Sequence, residues 1–98
     1  MQFVLEFTEN ALGDLDSFRK FEQTLILDQI HVQLTRQPTT ETRNRKPLEP
    51  NALADWELRI GPYRVFYDVA PAEGIVKIKA VGYKDHNTLV IRGKEFTL

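Results

Sequence analysis

The sequence predicts an α+β domain in which two N-terminal helices form a hairpin packed on a mainly antiparallel sheet of about four strands. Three observations carry this. Apolar and polar residues alternate over 3–7, 56–60, 63–69 and 75–83, the two-residue period of strands. Between the first two of these runs, residues 9–36 switch to helical spacing. In "IGPY", Ile60 to Tyr63, a glycine and a proline separate two alternating runs, as a tight hairpin turn requires.

Taken in order, "MQFVLEF" sets Phe3, Leu5 and Phe7 against Val4 and Glu6 and reads as the first strand. Thr8 caps a short helix over 9–16, its side-chain oxygen accepting a free backbone N–H while Glu9 favours the positive helix end. A second helix over roughly 18–36 stops before Pro38. Its apolar positions form two stripes: Phe18, Phe21, Leu25 and Val32 on one, Ile26, Leu27, Ile30 and Leu34 on the other. Such a helix buries both stripes, one on the sheet and one on the short helix, or leaves one as a groove for an amphipathic helix of a partner.

Residues 37–55 hold three prolines and no clear period, a long connection for so small a domain. Arg43, Arg45 and Lys46 make a basic knot within it and are candidate substrate-binding residues.

Beyond this connection, a two-residue turn at Gly61-Pro62 pairs Ile60 with Tyr63, and next along the ladder Arg59 with Arg64. Like charges directly opposite one another destabilise a strand pair. Tyr63, Val65, Tyr67 and Val69 join Trp56, Leu58 and Ile60 on the core face; Glu57, Arg59, Arg64, Phe66 and Asp68 project from the other. On the last strand Lys77 and Lys79 alternate outward from Val76, Ile78 and Ala80. The outer face thus gathers Arg59, Arg64, Lys77 and Lys79 around Phe66, four bases against Glu57 and Asp68, with Lys84 and His86 just beyond. Adjacent cations on a rigid ladder suit an anionic ligand, and the planar arginine fork matches phosphate. A structural ion-pair network would read the same way in sequence.

Composition sets the bounds. Residues 1–98 form a single domain, long enough to bury roughly 60–70% of its unfolded surface. With no cysteine, disulfides, thiol catalysis and thiolate metal sites are excluded, which fits a reducing cytosol. Two histidines far apart give no metal-ligand spacing, so neither a metal nor another cofactor is expected; His31 reads as a surface residue. The apolar start breaks at Glu6 and no run reaches membrane-spanning length, so a cytoplasmic location without membrane association is expected. Net charge is -1, unlike a generic nucleic-acid binder. It is unevenly spread, with six acids and two bases in residues 1–30 but eleven bases and eight acids in 31–98.

The order strand, two helices, basic loop, "ELRIGPYRVFYDV" and "VKIKAVGYKDHNTLVIRGKEF" resembles the RelE/ParE superfamily of bacterial type II toxins over nearly the whole length. The hairpin and the strand ending "AVGYKDH" are its most specific parts; the N-terminal half matches in pattern only. The resemblance implies a compact toxin of the RelE/ParE-like fold, neutralised by a small cognate antitoxin. RelE-like members cut messenger RNA in the ribosomal A site without a metal, whereas ParE-like members poison DNA gyrase. Carried over by position, Arg64 falls where RelE-like nucleases hold the scissile phosphate, with Arg59 and Lys84 at two further cation positions. Two positions depart from that pattern: Glu57 stands where a lysine base is expected, and Val90 where a tyrosine often stacks the substrate base.

Metal-free RNA cleavage needs a base for the 2′-OH proton, cations for the phosphoryl charge and an acid for the leaving 5′-oxygen. His86 is the candidate proton carrier, with Glu57 as its opposite partner. The expected catalytic set is therefore Arg59, Arg64, Lys84 and His86, with Arg43, Arg45, Lys46, Phe66, Lys77 and Lys79 as substrate contacts. A gyrase poison without catalysis and a silent toxin-like domain that binds only an antitoxin are the competing readings. The last segment, "NTLVIRGKEF", reads equally as a helix or a strand.

Overall fold

The computed structural model describes residues 2–98. A seven-stranded sheet carries two helices: β1 Val4–Phe7, α1 Glu9–Asp16, α2 Lys20–Leu34, β2 Arg45–Pro47, β3 Trp56–Ile60, β4 Tyr63–Ala70, β5 Ile75–Asp85, β6 Thr88–Ile91 and β7 Lys94–Phe96. The strand order is β2-β3-β4-β5-β6-β7, all antiparallel, and β1 adds to β5 in parallel. The sheet therefore has seven strands rather than about four. The three extra strands are short: β2 lies inside the proline-bearing connection, and β6 and β7 resolve the open C-terminal segment as a hairpin.

Local chemistry sets the element ends. The Thr8 hydroxyl oxygen accepts the Ala11 N–H at 3.1 Å and starts α1 as expected. The Glu22 carboxylate accepts the Arg19 N–H at 2.9 Å, so α2 begins at Lys20, two residues later than its apolar pattern. Gly61, at φ 54, takes the first position of the β3–β4 turn, where a side chain would be strained, and Pro62 follows.

The main core lies between the helices and one sheet face, around Leu15, Ile26, Ile30, Leu34, Leu58, Val65, Tyr67 and Ile78. The Tyr67 hydroxyl donates to the Pro38 carbonyl at 2.6 Å and ties the long connection to this core. The other helical stripe is only partly buried: Phe18 packs against this core, but Phe21 and Val32 are each 65% exposed and Leu25 also faces solvent, as does Leu27 of the core-facing stripe.

A second core covers the opposite sheet face, where Phe66, Ala80, Leu89 and Ile91 pack with Ala54, Leu48, Leu53 and Phe96. Its cause is a β-bulge. Phe66 pairs with Ala80 but Tyr67 pairs with Ile78, so Lys79 is the extra residue and the alternation of β5 changes phase there. Ala80, expected inside with Ile78, is thereby turned onto the Phe66 side. The β6–β7 hairpin then folds over that face. Gly82 allows this approach, because a Cβ there would collide with the Val90 carbonyl oxygen and lie 2.7 Å from Ile91 Cγ1.

Candidate cationic cleft

Arg59 and Arg64 are direct cross-strand partners, in the register that the Gly61-Pro62 turn predicts. Their repulsion is relieved in different ways. Arg59 Nε donates to Glu57 Oε2 at 2.7 Å, an oxygen of an almost wholly buried carboxylate on the same strand. Arg64 instead folds back on its own turn, Nη1 donating to the Gly61 carbonyl at 2.7 Å and the Tyr63 carbonyl at 2.9 Å. Its Nε is buried with no hydrogen-bond partner. Burial pulls the Arg64 guanidinium below the usual arginine value, Glu57 opposes this, and the Arg59 charge adds to the lowering.

Arg59 and Lys84 line one cleft of about 360 Å³, with Glu57 among its walls. Leu48 comes from the long connection, and Leu89, Phe96, Thr97 and Leu98 from the C-terminal segment. The Lys84 N–H donates to the Pro62 carbonyl at 2.8 Å, fixing the end of β5 beside the β3–β4 turn. Lys46 pairs with Glu57 across β2–β3 and lies 3.8 Å from the exposed Glu41 carboxylate.

The remaining expected residues scatter. His86 sits on the β5–β6 turn at φ 57, its side chain 94% exposed, with Nδ1 2.9 Å from Asp85 Oδ1. It does not line the cleft, although its neighbour Asn87 does. Lys79 binds Asp68 at 3.3 Å farther along the sheet, where Lys77 pairs with Asp68 in register. Arg43 is exposed.

Two expected substrate contacts are corrected. Phe66 has no exposed surface, because the bulge and the C-terminal hairpin enclose it in the second core. Arg45 is also buried: Nη1 donates to the Gln33 carbonyl and to Gln33 Oε1 at 3.1 and 2.6 Å, and Nε to the Thr40 carbonyl at 2.9 Å. This guanidinium fastens the connection to the end of α2 and has no face left for a ligand. Sequence reading missed the cleft's apolar wall, Leu48, Leu89 and Phe96. "TLVIRGKEF", alternating about an Arg-Gly pair, was the available hairpin signal.

Among the described residues no three His, Cys, Asp or Glu side chains group as metal ligands, and no helix is long and apolar enough to cross a membrane.

A small α+β domain with two helices on one face of a mainly antiparallel sheet is the fold of a known class of protein. The toxin–antitoxin complex RelBE2 of Mycobacterium tuberculosis contains a chain with this fold, matched at a TM-score of 0.75 and 24% identity over 86% of this chain and 93% of that one. The archaeal RelE–RelB complex of Pyrococcus horikoshii contains another, at TM-score 0.69 and 21% identity over 88% and 99%. The profile of the ParE toxin of type II toxin–antitoxin systems matches residues 5–87. The chain belongs to this family, within the RelE/ParE superfamily. No curated protein sequence matches it significantly.

Proposed function

We propose that this toxin is a metal-independent endoribonuclease acting on messenger RNA, held inactive by a cognate antitoxin. The observation that carries the reading is the Arg59–Arg64 pair with Lys84 at one end of the sheet, around the buried Glu57 carboxylate. Arg59 and Lys84 line the cleft, and Arg64, outside its lining, stands across the ladder from Arg59; cations so grouped are costly when empty and favourable around a phosphodiester.

In this reading the 2′-oxygen attacks phosphorus and the P–O5′ bond breaks, leaving a 2′,3′-cyclic phosphate and a free 5′-OH. Arg59, Arg64 and Lys84 neutralise the charge that develops on the phosphoryl oxygens. Proton transfer falls to His86, on the exposed turn beside the cleft-lining Asn87, and to Glu57, whose carboxylate Arg59 holds in place. Lys46, Arg43, Lys77 and Lys79 carry the flanking RNA backbone.

The exposed stripe of α2 supports the antitoxin partner. Phe21, Leu25 and Val32 offer an apolar helix face that the described residues leave uncovered, suited to an amphipathic helix. Both structural relatives are toxin–antitoxin complexes. An antitoxin would act by covering the cationic face or by displacing the C-terminal segment, so a complex that leaves Arg59, Arg64 and His86 open and undisturbed would contradict this mode of inhibition.

A second reading, inhibition of DNA gyrase without catalysis, is favoured by the family profile and by the sequence pI of about 6.1. Induced expression in a bacterial host separates the two, with messenger RNA ends and gyrase-linked DNA breaks mapped together. RNA cuts that vanish in Arg64→Ala are expected. Growth arrest with intact RNA and gyrase-linked breaks would move the function to the second reading. Adding ribosomes to the purified toxin shows whether cleavage requires them.

A further inference from the structure

The β6–β7 turn contains an unexpected residue. Ile91 pairs with Lys94, so Arg92 and Gly93 form a two-residue turn with both at positive φ, 53 and 72. Such turns favour Asn, Asp or Gly at the first position, and an arginine there is strained. What Arg92 gains is reach: its Nε lies 3.0 Å from Asp14 Oδ1, and the Asp14 side chain is only 2% exposed.

Asp14 is bound on both sides. Its Oδ2 accepts the Val81 N–H at 3.0 Å, tying α1 to the middle of β5. Its Oδ1 has no aligned hydrogen bond and only the Arg92 charge beside it. If Arg92 withdrew, a buried carboxylate oxygen would be left uncompensated, which is strongly unfavourable. The hairpin so held supplies Leu89, and Phe96 to Leu98 at its end, to the cleft.

We propose that Arg92 and Asp14 are positioning residues for the cationic cleft: their ion pair, reaching around the end of the sheet to α1, holds the β6–β7 hairpin closed as the cleft's wall. The inference rests on the nuclease reading for its effect on RNA, but not for its effect on the hairpin. Neither residue lines the cleft itself.

The test uses the full chain carrying Arg92→Asn, Asp14→Asn or both. Asparagine accepts the left-handed turn, so Arg92→Asn removes the reach without adding strain. Asp14→Asn keeps a carbonyl oxygen for Val81. Amide exchange of Leu89 to Phe96 is expected to speed roughly tenfold or more in each single variant, while the β3–β4 amides stay protected. The double variant should lose no more than the worse single one. KM for a single-stranded RNA should rise several-fold with kcat nearly unchanged, since the reacting groups remain.

Unchanged hairpin exchange in Arg92→Asn overturns the proposal, as does additive loss in the double variant. Loosened exchange with unchanged KM overturns the link to the cleft. A wild type that binds and cleaves no RNA overturns the nuclease reading and, with it, that link, while the exchange result still decides the hold on the hairpin.

Discussion

Arg45 and Arg64 show how residue type alone misleads about use. Both are cations that suggest ligand contacts in sequence, yet Arg45 is consumed by Gln33 and Thr40 while Arg64 stands across from another cation. Arg45→Ala should lower stability by about 2 kcal/mol, because it removes a buried side chain and the hydrogen bonds by which it fastens the connection to α2, with little effect on RNA affinity. Urea melts alongside RNA titration check this. Arg64→Ala should do the reverse: a loss of cleavage rate of about 10²-fold or more, as for other removed transition-state donors, with at most a modest loss of stability. The Arg59–Arg64 pairing was legible because a Gly-Pro turn fixes register. The burial of Phe66 was not, since it depends on a bulge opposite and on a C-terminal hairpin that folds back from distant sequence.

Elements were legible where their signals are local. Thr8 and the spacing after it mark α1, and alternation marks β3 and β4, whereas three-residue strands such as β2 and β7 are too short to show a period. Their place comes from partners: β2 follows β3, and the C-terminal hairpin follows the close approach at Gly82. Gly82→Ala should therefore displace β6, since the obstruction is backbone as well as side chain. A fall in stability of about 2 kcal/mol or more is expected, with amide exchange quickening first in β6 and β7.

The tie between α2 and β4 is pH-sensitive. The Tyr63 hydroxyl donates to Glu22 Oε2 at 2.6 Å, and that bond, ahead of the Arg19 N–H, holds the Glu22 carboxyl below its ordinary 4.5. The same bond raises the Tyr63 hydroxyl above 10.0. A lowered carboxyl contributes stability above its unfolded value and loses it as pH falls through the folded one; a raised phenol contributes below its unfolded value and loses it as pH rises through the folded one. The stability difference between wild type and Tyr63→Phe should thus be flat from about pH 4.5 to 10 and shrink outside that window, as paired denaturation series would report.

At the scale of the molecule, charge and apolar surface divide the chain into two working faces. The helices carry most of the acidic N-terminal third and the exposed stripe of α2, and the far sheet face carries the cationic cleft. A net charge of -1 hides this division, which only the fold makes spatial. RNA binding should accordingly be salt-dependent despite the near-neutral total. The slope of log K against log salt should shrink by about 0.7 for each phosphate-contacting cation removed. Arg59→Ala and Lys84→Ala should each show that change, and Lys20→Ala on α2 should not.

The most direct test is a titration of the toxin with a short single-stranded RNA, its 2′-OH at the cleavage position replaced by hydrogen, followed by NMR of the arginine and backbone N–H groups. The account predicts saturable shifts at Arg59, Arg64 and Lys84, with the exposed stripe of α2 unmoved. Shifts confined to the helices, or none at all at low salt, would contradict a phosphate-binding cleft and leave the arginine pair a structural feature of a toxin that acts on another target.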